Sequence, residues 1–171
     1  DVQRTERWFR DAFGFIPAGG TRSFRGWGAR HVQGLPGAAS TCWWLVDRSE
    51  HFQIELFQFE APLARLMPAD FRPCDIGYSR VGFWVQDYDR TLERLAALGT
   101  PPLTAPFGAP GGRRVCVRNP EGVFIEVMED DPLRGRTRDA RPDCRVAARS
   151  VTLSVPDLEK SKRFFMGALG M

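Results

Sequence analysis

One short pattern occurs three times along this chain, and it constrains the fold more than any other feature. Asp1 is followed by Thr5, by the pair Trp8-Phe9 and by Phe13-Gly14. Asp87 is followed by Thr91, Leu95 and Leu98-Gly99, and Asp157 by Ser161, Phe164-Phe165 and Leu169-Gly170. A capping Asp, apolar residues at helical spacing and a terminal Gly describe an amphipathic helix with both ends marked. A recurring unit fixes architecture before local detail does, and this one predicts βα-type modules of about 70–85 residues, with a site between them.

The stretches between the helices supply the strands. Alternation predicts strands at 41–46 and 52–59, joined as a hairpin through 47–50, and another at 81–86 ahead of the second helix. Strands at 113–118 and 123–128 flank Asn119-Pro120-Glu121-Gly122, where Pro at the second position and Gly at the fourth suit a type I turn. A last strand, 149–155, precedes the third helix. Residues 15–40 read as one strand and a long Gly-rich loop that carries His31. Residues 60–77, with Pro62, Pro68 and Pro73, read as a connection. Residues 101–112 read as loop with at most one short strand; with it the second module reads β-α-β-β-β, the first lacks its opening strand, and the third stops after its helix. The domain reading is a first domain at 1–130, built from modules 1–60 and 78–130, a linker at 131–147, and the start of a second such domain at 148–171.

Composition narrows the function classes. A chain of 171 residues with 43% apolar and 26% charged residues can bury a core of ordinary soluble type. The net charge is +3, the arginines are scattered, and Lys160 and Lys162 are the only lysines, so no nucleic-acid partner is expected. No apolar run approaches the ~20 residues of a membrane span, so no membrane partner is expected either, and the cytoplasm is the expected location. Cys42, Cys74, Cys116 and Cys144 form no C-x-x-C pair, which gives no support to a zinc ribbon or dithiol redox motif and suits reduced thiols.

Strand parity sorts the candidate site residues. If Ile54 and Leu56 meet a helix, then Gln53, Glu55 and Phe57 face the other way. If Ile125 and Val127 do so, then Phe124, Glu126 and Met128 face away, as do Arg80, Gly82 and Trp84 beside Val81 and Phe83. Trp44 shares a face with Cys42. A carboxylate in the middle of an apolar strand is costly unless paired, and Glu55 and Glu126 stand at the same place in their modules. Solvated or salt-bridged wall residues, and simple core packing for the aromatics, are the alternatives to binding and catalysis.

The module order, the Asp-capped helices and the run from Asn119 to Glu126 together resemble the vicinal oxygen chelate superfamily. That superfamily includes glyoxalase I, methylmalonyl-CoA epimerase, extradiol dioxygenases and the bleomycin- and fosfomycin-resistance proteins. The stretch from Gly34-Leu35-Pro36-Gly37 to Leu56 looks epimerase-like. The resemblance implies an α+β fold in which paired βαβββ modules form cupped, barrel-like mixed sheets around a cavity. It also implies that each module offers that cavity two metal ligands, one from its first strand and one from its last. Glu55 and Glu126 match the last-strand positions. The first-strand position, seven residues before the capping Asp, holds Arg80 in the second module and Ser150 in the third. Arg has no lone pair to give a metal. Ser150 argues against a two-domain ring-cleaving dioxygenase, whose iron site uses a His there.

Three readings stay open. The first is a protein that binds a small organic molecule without a metal: Arg80 holds an anionic or carbonyl group, and Glu55 and Glu126 orient it or act as acid or base. Trp44, Gln53, Phe57, Trp84, Phe124 and His31 would line the site. The second is a metal-dependent lyase, epimerase or dioxygenase in which Glu55 and Glu126 hold Fe, Mn, Co, Ni or Zn together with a residue outside this sequence. The third is a non-catalytic half of a longer protein. Sheets left incomplete can be completed by pairing or swapping between chains, which makes a homodimer one expectation.

Overall fold

The computed structural model describes residues 1–171 apart from Leu66 and the side chain of Arg22. The first helix, α1 (Val2–Phe13), forms as its ends dictate. The Asp1 carboxylate accepts hydrogen bonds from the N–H groups of Gln3 and Arg4, and Gly14 ends the helix at φ 83°, a conformation that favours glycine. Its buried face is Val2, Thr5, Trp8, Phe9, Ala12 and Phe13. Phe9 meets Phe15 edge to face at 5.7 Å, and Phe13 meets Phe83 at 5.3 Å, so the core is an aromatic cluster shared by both halves of the chain.

Strands β1 (Ile16–Arg25), β2 (Ala39–Val46) and β3 (Gln53–Ala61) form an antiparallel sheet in that order. The long loop expected before β2 is corrected: residues Gly26–Gln33 form a helix, α2, closed by Gly34 at φ 65°. His31 lies on this helix. Its ring stacks on Trp27, with centroids 4.1 Å apart, one helical turn away.

The second half supplies β4 (Gly77–Val85), α3 (Tyr88–Ala97), β5 (Arg114–Arg118) and β6 (Phe124–Met128). With β7 (Val146–Ser154) they make a mixed sheet of order β5-β6-β4-β7, in which β4 and β6 run parallel and the other neighbours antiparallel. The two sheets cup the core without closing into a barrel. Between α3 and β5 the short strand allowed for within 101–112 amounts to one bridge, Phe107 with Arg114. Pro101, Pro102, Pro106 and Pro110 crowd that stretch, and proline has no N–H to give a ladder. Asp87 stands at the N-cap of α3 but makes no capping bond; its carboxylate takes Arg145 at 3.1 Å instead.

Residues 130–145 form no helix or named strand, yet they are tied to β7 and to the β2–β3 turn. Arg149 donates to both oxygens of Asp131 at 2.8 and 2.9 Å, and Arg48 donates to Asp139 at 2.6 Å. Asp47, fully buried, accepts from the N–H groups of Ser49 and Ala148 at 2.7 and 2.6 Å. Burial pushes its carboxyl above the ordinary range in spite of those bonds. Beyond β7, α4 (Leu158–Arg163) starts where expected, with the Asp157 carboxylate accepting from the N–H of Lys160, and runs into a π-helical turn over Phe164–Ala168. No residue of α4 or of this turn is buried.

Candidate functional site

The parity expected from the sequence is the parity found. Ile54, Leu56, Val81, Phe83, Ile125 and Val127 pack on or within the core under the helices. Their neighbours Glu55, Arg80 and Glu126 project from the opposite faces of the sheets. On the mixed sheet, register places Gly82 beside Glu126 on one side and Ser150 on the other, with Arg80 beside Phe124 and Thr152. On β5, Cys116 lies beside Glu126, and Arg114 and Arg118 share its face.

Glu126 is the centre of this arrangement, with its side chain 13% exposed. One carboxylate oxygen lies 3.3 Å from Nε of Arg80, and the other lies 3.4 Å from Arg114, whose guanidinium also reaches Asp130 at 3.2 Å. The Arg80 Nε is buried and has no well-aligned hydrogen bond, so the pair is an ion pair of imperfect geometry. A guanidinium carries five donors in a fixed fork, and Arg80 is a third exposed, so it has capacity left for a ligand oxygen. Arg114 was not among the expected site residues. The signal for it was present: the run Arg114-Val115-Cys116-Val117-Arg118 alternates, which puts Arg114 on the face of Glu126.

The other candidates divide between two surroundings. Glu55, exposed on β3, accepts from Nε1 of Trp44 and from Nε2 of Gln53, each at 3.0 Å, so these three form a cluster on the antiparallel sheet. The Cys42 thiol, pushed up by burial and by the Glu55 carboxylate, belongs to the same face. Phe57 is exposed there and stacks near Phe59 at 6.1 Å. Trp84 donates from Nε1 to the Glu129 carbonyl at 3.2 Å and lies under the Arg48 guanidinium. Phe124 faces away from the helices, as expected, but it is buried: Phe71 from the 62–76 connection tilts against it, and the Arg118 guanidinium lies 4.4 Å from its ring centre. Arg118 is held in place by donating to the carbonyls of Ala69 and Phe71. His31 is exposed on α2.

The metal chemistry that the fold suggests does not fit this donor set. Both oxygens of Glu126 face guanidinium groups, Arg80 stands at the position where the resemblance implies a first-strand ligand, and Glu55 is bonded within its own sheet. Among the described residues, no group of three His, Cys, Asp or Glu side chains is placed to hold a metal ion.

Comparison with known proteins agrees with the architecture. A family model described as the Glyoxalase/Bleomycin resistance protein/Dioxygenase superfamily matches residues 1–117. The chain belongs to this superfamily. Among solved structures, a glyoxalase family protein from Bacillus cereus is 23% identical and superposes with a TM-score of 0.68 over 75% of this chain and 85% of its own. Glyoxalase I from Zea mays is 18% identical, with a TM-score of 0.63 over all of this chain and 52% of its own, so the chain spans about half the length of that enzyme. A glyoxylase/bleomycin resistance protein/dioxygenase domain from Frankia matches at 18% identity and a TM-score of 0.51, over 75% of this chain and 87% of its own. At these identities the likeness concerns the fold alone. None of the curated proteins matches the sequence.

Proposed function

We propose that this superfamily member binds a small organic molecule on the cupped face of its sheets, and that Arg80 serves there in place of a metal. The observation that carries the reading is the pair of contacts at Glu126: Arg80 at 3.3 Å on one oxygen and Arg114 at 3.4 Å on the other. Arg114 is shared between Glu126 and Asp130, so the two guanidiniums are balanced by two carboxylates on a partly shielded surface. The Arg80 donors left unused suit a carboxylate, enolate or carbonyl oxygen of the ligand. Glu126, as an acceptor, orients the ligand or receives its proton, and Glu55 does the same from the antiparallel sheet. Trp84 supplies an aromatic surface farther along the strand of Arg80, while Trp44, Gln53 and Phe57 supply the Glu55 side.

The test is the metal content of the purified protein, as isolated and after incubation with Fe²⁺, Mn²⁺, Co²⁺, Ni²⁺ and Zn²⁺. The expected result is no tightly held metal in the wild type and a raised affinity in Arg80→His, which gives the seat a lone pair. About one metal per chain, lost on Glu126→Ala, would show that Arg80 does not fill the seat.

A further inference from the structure

Away from the Arg80–Glu126 pair, residues of the 131–139 segment, the β2–β3 turn and β7 border an open pocket of about 500 Å³. Both ends of the segment are fastened. At one end, Asp131 is held by two hydrogen bonds from Arg149, whose side chain is only 2% exposed. At the other, Asp139 takes Arg48, and Arg141 donates to the carbonyls of Asp47 and Ser49 at 3.1 and 2.6 Å. The volume lies within the range of small-molecule sites, roughly 300–1,000 Å³.

The lining has two parts. Phe52, Leu133 and Ala148 make an apolar floor. The exposed residues Arg136, Thr137 and Arg138 make its outer rim, adding two guanidiniums and a hydroxyl. Arg138 is 82% exposed, and its carboxylate partner, Glu50, is 3.9 Å away, the outer edge of an ion pair. Glu50 is also shared with His51 at 3.7 Å. Asp131 neutralises Arg149, so the rim keeps two guanidiniums against one loosely held carboxylate. A void left by poor packing is small and apolar; this one is roomy and carries a cationic edge over an apolar floor.

We infer that this cavity is a second ligand site, for a compact oxyanion on a short apolar body, with the oxyanion between Arg136 and Arg138 and the body against Phe52 and Leu133. Guanidinium groups bind carboxylate and phosphate oxygens in pairs of parallel hydrogen bonds, which fixes the head. The floor removes the apolar body from water. The site is separate from Arg80 and Glu126, and it stands or falls independently of the function proposed for them.

Titration of the ¹⁵N-labelled protein with phenyl phosphate, benzoate, inorganic phosphate and benzyl alcohol tests it. Saturable shifts at amides of 49–52 and 133–138 are expected with phenyl phosphate and benzoate. Inorganic phosphate, lacking the body, and benzyl alcohol, lacking the charge, should each bind about tenfold more weakly or worse. Arg136→Ala/Arg138→Ala should weaken phenyl phosphate about tenfold while leaving the circular dichroism spectrum unchanged, since both side chains are exposed. Leu133→Ser should weaken phenyl phosphate more than inorganic phosphate. Affinity unchanged in the double Arg variant, shifts confined to residues around Arg80 and Glu126, or no saturable binding of either aromatic anion would each overturn the inference.

Discussion

Replacing Asp131 by Asn removes the charge opposite Arg149 while nearly conserving shape. The Arg149 side chain is 2% exposed and that of Asp131 10%, so solvent screens neither group. Two hydrogen bonds, at 2.8 and 2.9 Å, join them, and a third runs from Arg149 to the hydroxyl of Ser49 at 2.9 Å. Breaking a buried pair by neutralising one partner costs about 3–5 kcal/mol, because the remaining charge stays desolvated without compensation. For a chain of this length that lowers the midpoint of thermal unfolding by roughly 10 °C. Replacing both residues by Leu removes the orphaned charge as well and should restore most of the loss. Burial acts to raise the Asp131 carboxyl, but the Arg149 bonds and the N–H of Leu133 outweigh it, and its pKa lies below the ordinary range. The carboxylate's contribution is therefore complete above its unfolded-state pKa and is lost as pH falls through the folded one, so wild type and Asp131→Asn should converge on acidification. Urea and thermal unfolding measure the effect, and hydrogen exchange at 146–150 shows whether β7 loosens first. A loss below about 1 kcal/mol would refute the claim that the 131–147 segment is clamped.

Three further outcomes follow from the packing and the charges. Phe83→Ala empties a site 1% exposed at the meeting point of Phe9, Phe13 and Phe15, and should cost about 3–5 kcal/mol by equilibrium unfolding. Gly20→Ala places a methyl 2.4 Å from the Cys42 carbonyl oxygen, which is backbone and cannot rotate aside, so about 1–3 kcal/mol of overpacking is expected, with faster exchange along β1. Glu129 is held down to about 2 from an ordinary 4.5 by the side chain and N–H of Arg113 and the N–H of Gly111. Its folded pKa is depressed, so its hold on the 108–113 loop is complete above 4.5 and is lost as pH falls towards 2; amide exchange at Gly111 and Arg113 should rise across that window and stay flat in Glu129→Gln.

Much of the site was legible in the chain because strand parity is a local property. The alternation in 52–57 and 123–128 puts Glu55 and Glu126 opposite the core faces of their strands, and the structure agrees. The same logic, applied to 114–118, would have found Arg114. What alternation could not reveal is which carboxylate meets which cation. Glu55 is bonded to Trp44 and Gln53, while Glu126 sits between Arg80 and Arg114. Nor could it show that Phe71, more than fifty positions before Phe124, would come to cover it. The helix over 26–33 escaped notice because its glycines suggested a loop, whereas two of them, Gly26 and Gly34, mark its ends with positive φ.

The three helices show where the sequence stops deciding. Asp1 and Asp157 each cap a helix with a side-chain bond, and the apolar spacing after them is the same, since caps and periodicity act over a few residues. Their fates differ: Trp8 and Phe13 of α1 are 5% and 1% exposed, whereas Phe164 and Leu169 are each 57% exposed. An amphipathic stripe specifies a face that needs a partner, and only the tertiary arrangement determines whether a sheet lies against it. The 130–147 stretch makes the converse point. It carries no periodicity and reads as a linker, yet Asp131 fastens it to β7, and Asp139 and Arg141 fasten it to the β2–β3 turn more than ninety positions earlier, because charged groups take their partners from whatever the fold brings within reach.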